Sequence, residues 1–217
     1  MEITGVITGD VINSTTIPLE QRQQLVESIS KVMEKIKAVI SLKYEIYRGD
    51  SIQVVVDEPG KAMLVGLLMK AGLKSYTPQT DIEPWNMRVS IGIGATDFTA
   101  DSITISDGEA FRLSGRGLDA MGKETLAVIT PWEEVNEEFA VSTPFVDDTI
   151  IKWTLGQAAQ MFQTLLCNSS RKEMAALFGV SAQTISRTLI LAKEKPVRKF
   201  IERFDKVVTL KAMEACK

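Results

Sequence analysis

No histidine occurs anywhere in the 217 residues. That absence excludes histidine-ligated zinc, Ser-His-Asp and Cys-His catalysis, and imidazole acid–base chemistry. Cysteine is nearly as scarce. Cys167 and Cys216 stand far apart, too few for a disulfide framework; Cys167 reads as a small buried apolar residue, and free thiols suit a reducing compartment. Long apolar runs are missing too. The longest uncharged one, Ala62 to Met69, falls well short of the ~20 residues that span a bilayer. Met1-Glu2 leads straight into a strand-like run with neither a basic region nor an apolar leader. The expectation is a cytoplasmic protein without membrane contact, and any catalysis must run on carboxylates, hydroxyls, cations or a bound metal ion.

What is present is a chain 24% charged and 45% hydrophobic, enough for one large domain or two small ones. Its net charge of −3 hides an asymmetry. Residues 1–150 hold 13 Lys+Arg against 23 Asp+Glu, and residues 151–217 hold 12 against 5. A basic tail behind an acidic body suggests different partners for the two parts, the tail suiting a polyanion. The plainer alternative is that basic helices dock onto the acidic body.

Glu2 to Gly9 reads as a buried strand that ends at Asp10, followed by a loop through Asn13-Ser14-Thr15-Thr16. Leu25, Ile29, Val32, Met33, Ile36 and Ile40 keep helical spacing. Two β-rich runs between Tyr44 and Val56 flank Gly49-Asp50 as a hairpin, and Ala62 to Tyr76 forms a second helix. Arg88 to Ala95 alternates Val89, Ile91 and Ile93 with small or polar residues, its Gly92 and Gly94 permitting close backbone approach. A helix over 108–121, a strand over 126–129 and a short acidic helix after Pro131 follow. Trp85, Trp132 and Trp153 lie near element ends and read as packing residues. This order predicts an α+β domain over 1–145, a ferredoxin-like antiparallel sheet with helices on one face. Residues 146–217 are expected to form a separate all-α domain.

Within that tail Ser170-Arg171-Lys172-Glu173 is a capping box, Phe178-Gly179-Val180 a turn, and Ser181 the cap of a second helix carrying Ile185 and Leu189 inward. The stretch Ala175 to Arg187 resembles the bacterial helix-turn-helix family. On that reading Gln183, Thr184, Ser186 and Arg187 face a major groove of double-stranded DNA, and Arg171, Lys172 and Lys193 meet phosphates. A homodimer reading two half-sites is expected. The alternative is a helical hairpin used for dimer or partner contact.

In the body, Asp10 ends the first strand and Asp50 sits in the hairpin turn. If the hairpin pairs beside that strand, the two carboxylates converge as hard-oxygen ligands for magnesium, with the adjoining loop offering N–H groups to phosphate. The succession Ile7 to Thr15, Tyr47-Arg48-Gly49-Asp50-Ser51, Arg88 to Gly94 and Gly108 to Leu118 resembles the catalytic domain of class III nucleotidyl cyclases. It is also similar to the SatD-like family, in which such a domain precedes a helix-turn-helix. The resemblance implies a cyclase-like fold, a nucleotide ligand, Mg2+ held by Asp10 and Asp50, phosphate near Asn13, Ser14 and Thr15, and Arg116 as the catalytic arginine. It also places Ile46 where those cyclases carry the base-reading lysine, and Arg112 where they carry the ribose-orienting asparagine. Three functions follow, in this order: a DNA-binding regulator with a nucleotide-sensing body, a magnesium-dependent nucleotidyl-transfer enzyme, and an interaction scaffold with both sites vestigial.

Overall fold

The computed structural model describes residues 2–78, 83–98, 103 and 107–216. At its centre is β1 (Glu2–Val11), buried along nearly its whole length, which requires cover on both faces of the sheet. β1 pairs antiparallel with β3 (Ser51–Val56) on one side and with β4 (Met87–Phe98) on the other. β2 (Leu42–Tyr47) completes the hairpin with β3. The far edge of β4 carries the two-residue β5 (Asp107–Gly108) and, in parallel, β6 (Leu126–Ile129).

One face follows from the alternation. Ile7, Val54, Val89, Ile91 and Ile93 point to α1 (Leu19–Lys37) and α2 (Ala62–Ser75), in a core where each large apolar side chain contributes about 1.5–3 kcal/mol. Leu25, Ile29, Val32, Met33 and Ile36 are buried on α1, as their spacing predicts. α2 is buried almost all round because α6 (Leu155–Cys167) packs on its far side.

The other face corrects the expectation of helices on one side only. α3 (Glu109–Ala120) lies across β1 and β4 there. Thr8, Ser90, Gly92 and Gly94 look like a solvent-facing set, but they are small residues under a small helix face of Ala110, Ser114 and Gly117. The Thr8 and Ser114 hydroxyls bond at 2.9 Å. A Cβ on Gly92 would stand 2.5 Å from the Ser114 backbone nitrogen, so this position requires glycine.

The chain continues through α4 (Glu133–Ala140), α5 (Ser142–Ile151), α6, α7 (Arg171–Phe178), α8 (Ala182–Leu191) and α9 (Glu194–Ala215). The boundary expected after residue 145 falls inside α5, and one core cluster runs without a break from Ile7 to Val208. Phe139 of α4 meets the Phe200 ring edge-on at 5.8 Å and the Phe204 ring at 5.2 Å, both on α9. Part of the charge asymmetry is used internally: Glu138 pairs with Arg203 and Glu134 with Lys211, each at 2.8 Å. Cys167 is exposed, contrary to expectation, because it closes α6 just before left-handed Asn168. Among the described residues no single helix is long and apolar enough to cross a membrane.

Candidate functional site

The antiparallel register puts Asp10 opposite Ser51 on β3 and opposite Arg88 on β4. Asp50 lies in the turn between β2 and β3, where Arg48 and Gly49 both adopt left-handed backbone angles. Its carbonyl accepts from the Val11 N–H at 3.0 Å, which ties the turn to the end of β1. The two carboxylates therefore flank one hydroxyl. The Ser51 hydroxyl lies 3.2 Å from Asp10 Oδ1 and 3.4 Å from Asp50 Oδ1, and its single proton serves one of them at a time. Both charges also reach the half-buried Tyr47 phenol: burial chiefly, then Asp10 and Asp50, raise its pKa against an opposing effect of Arg48.

Asp10 already has a cationic partner. Arg88 donates to its Oδ2 at 2.7 Å. Asp50 is held on its outer side by the Ser14 hydroxyl, which donates to Oδ2 at 2.6 Å. Among the described residues no group of three or more carboxylate or thiolate ligands gathers for a metal. The donors present are nonetheless hard oxygens, two carboxylates with two serine hydroxyls at their edges, and they fit magnesium with water completing its shell. Asp10 and Asp50 would be its protein ligands.

The loop beside them is shaped by Asn13, whose backbone is left-handed (φ 55°). Two backbone bonds close it, Thr16 N–H to Asn13 O and Ile17 N–H to Ser14 O, and neither uses the N–H of Asn13, Ser14 or Thr15. Arg22 fixes the loop from α1 by donating to the Thr15 and Ile17 carbonyls. Successive N–H groups left over at such a turn suit an anion. A small cavity of about 140 Å³ lies between this loop and the Arg48–Asp50 turn.

Arg116 does not join the group. It is exposed on α3, turned away from the sheet-facing Ser114 and Gly117, and no hydrogen bond or ion pair links it to either aspartate. Arg112 pairs with Asp107 at 2.9 Å, and Ile46 packs against the core. Sequence reasoning missed Ser51, Arg88 and Tyr47. Ser51 and Arg88 could have been found by writing out the register, since both stand directly across from Asp10.

In the tail, α7 and α8 meet at 101°. Gly179 closes α7 in the left-handed region (φ 65°), and Ser170 and Ser181 cap the two helices with their side chains. Met174, Ile185 and Leu189 point inward. Gln183, Thr184 and Arg187 are exposed, as are Lys172 and Lys193. Ser186 bonds back to the Ala182 carbonyl. Arg171 is engaged by Glu194 at 3.2 Å, as is Arg198 at 2.9 Å. The same pair exposes Leu177, Val180, Ile190 and Leu191.

No family model and no curated protein matches the chain. Among solved structures it is similar to a bacterial light-regulated adenylyl cyclase, 14% identical with a TM-score of 0.44 over 65% of this chain and 80% of that one. It is also similar to the adenylyl cyclase CyaB from P. aeruginosa (19%, 0.42, over 64% and 82%) and to the guanylyl cyclase Cya2 (15%, 0.41, over 59% and 74%). At these scores the likeness concerns the arrangement of the chain and not its chemistry, so function is argued from the residues themselves. Neither the SatD-like resemblance nor the helix-turn-helix reading gains support from these matches.

Proposed function

We propose that the chain binds a nucleoside phosphate through a magnesium ion held by Asp10 and Asp50, with nucleotidyl transfer as its enzymatic form. The observation that carries this reading is the shared Ser51 hydroxyl, within 3.4 Å of both carboxylates. Two negative charges brought this close in a partly enclosed site favour a cation between them. When bound, magnesium supplies charge neutralisation and orientation of phosphate oxygens.

The chain's own groups do the rest. The Asn13, Ser14 and Thr15 N–H groups take phosphate oxygens, Arg22 keeps that loop in place, and the Ser14 hydroxyl orients Asp50. Ile46 and Arg112, standing where class III cyclases read and orient their purine nucleotide, favour a ligand held differently. Arg116 reaches the phosphates only if it is supplied from elsewhere, as a second copy of the chain could do.

The test is calorimetric titration of a non-hydrolysable nucleoside triphosphate analogue. Binding should require magnesium and be lost on chelation and in Asp10→Asn and Asp50→Asn. Undiminished binding in both variants overturns the reading.

A second reading is favoured by the α7–α8 pair: two capped helices at 101° that leave Gln183 and Arg187 exposed on one face. That shape suits DNA in the major groove, read by a dimer.

A further inference from the structure

A cleft of about 670 Å³ opens where the loop after β1, the segment before β4 and the α5–α6 corner come together. That volume is typical of small-molecule sites, which run to roughly 300–1,000 Å³. Its walls mix apolar Ile17, Trp85, Ile151 and Trp153 with polar groups, among them buried Lys74, half-buried Gln21 and Asn86, and the exposed carboxylate of Glu83. Neither Asp10 nor Asp50 lines it.

Three features separate this cleft from a packing gap. Trp85 is only 3% exposed, yet its indole N–H has no acceptor among the described residues. The buried Oε1 of Gln21 has no donor among the described residues. Each unmet buried group costs about 1–3 kcal/mol, and one donor and one acceptor are left unmet by residues of the same cleft. The third feature is Lys74, 8% exposed. Its ammonium donates to the Ile151 carbonyl at 2.6 Å, which uses one of its three protons, and among the described residues no carboxylate is paired with it. Burial lowers its pKa from the ordinary lysine value, a cost that an anion alongside would offset.

We propose that this cleft is the binding site of a small aromatic or heteroaromatic monocarboxylate. Its carboxylate pairs with Lys74 and accepts from the Trp85 N–H. Its flat body lies against the apolar walls, and a ring or side-group donor serves Gln21. The neighbouring Trp153 donates its own N–H to the Ala192 carbonyl, the cap residue of α8, at 2.9 Å. One wall of the cleft is thereby tied to the corner between α8 and α9.

The test uses the full chain with 15N-labelled tryptophan, titrated with nicotinate, salicylate and benzoate, and with neutral benzamide as control. One or more of the acids should shift the Trp85 indole N–H signal saturably and leave that of Trp132 in place. Lys74→Met should weaken binding by at least about tenfold, as expected for a lost charged hydrogen bond. Trp85→Phe, which keeps a ring but removes the donor, should weaken it several-fold. Asp10→Asn should leave it unchanged, so failure of the magnesium site and failure of this one are separable. No saturation by any acid up to roughly 10 mM, the weak end of specific binding, overturns the proposal. So does equal binding of benzamide or unaltered binding by folded Lys74→Met.

Discussion

Arg88 and Asp10 stand directly opposite each other on antiparallel β4 and β1, and the guanidinium donates to Asp10 Oδ2 at 2.7 Å. Their side chains are 37% and 26% exposed, so water screens the pair and its net worth is about 0.2–1 kcal/mol. An interaction of that size holds the carboxylate in place, and a divalent cation can displace it.

Removing the competitor should therefore strengthen cation binding. Arg88→Ala is expected to raise the apparent affinity for Mn2+, read by its electron paramagnetic resonance signal, by up to about fivefold. The gain should shrink as salt is added. An unchanged or weaker affinity would mean that Arg88 does not compete for Asp10.

Stability should depend on pH through Lys70. This side chain is enclosed beneath α2, donating to Met87 O at 2.7 Å, Thr125 O at 3.0 Å and Thr125 Oγ1 at 2.7 Å, with Asp147 Oδ1 at 3.8 Å. Burial lowers its pKa from 10.5 to about 7, against the pull of Asp147. Between those values the unfolded chain holds a proton that the native chain has released. Native stability therefore rises with pH across that window and is flat below it. The urea midpoint should climb from pH 7.5 to 9.5, chosen as roughly the middle of the titration window. Lys70→Met should flatten the climb, and a midpoint that falls over this range in the parent chain contradicts the assignment.

The strands of the body, its first two helices and the capped α7–α8 pair were legible because their apolar spacing and cap residues act locally. The cover on the second face of the sheet was not. Thr8, Ser90, Gly92 and Gly94 carry no apolar signal, and only the approach of an equally small helix face makes them interior. α5 was hidden for a related reason: Ser142-Thr143-Pro144 has the composition of a linker, whereas here it opens a helix. Asp147 of that helix accepts from the Thr125 N–H and hydroxyl, each at 2.6 Å. The position of Asp50 beside the end of β1 was readable from the hairpin pattern. The Arg88 ion pair needed one further step, the β1–β4 register that sets Arg88 across from Asp10, because no local pattern links residues nearly eighty positions apart.

That second face supplies a paired test. In Gly92→Ala the new Cβ would meet backbone atoms of Ala110 and Ser114, which cannot rotate away, so α3 must shift at a cost of about 1–3 kcal/mol. Gly115, on the same helix, has nothing within 4 Å of such a Cβ. There alanine should stabilise by about 0.5–1 kcal/mol through helix propensity alone. Opposite signs in chemical denaturation support the close approach of α3 to β4. A neutral Gly92→Ala would mean that the helix sits further away.

The α7–α8 pair offers two surfaces at once, and variants separate them. If the pair reads DNA, a random-sequence pool selected on the full chain should yield a preferred site. Arg187→Ala should then cost about 1–3 kcal/mol on that site with little loss on scrambled DNA, because a guanidinium at a base edge discriminates. Lys172→Ala should weaken both alike and flatten the salt dependence, as a phosphate contact does. Ser186→Ala should matter least, since its hydroxyl is already bonded to the Ala182 carbonyl at 2.9 Å. If the pair is instead a protein interface, the exposed Ile190 and Leu191 at 71% and 61% are its anchors. Ile190→Asp would then dissociate a dimer in sedimentation, no DNA site would be selected, and the DNA reading would fail.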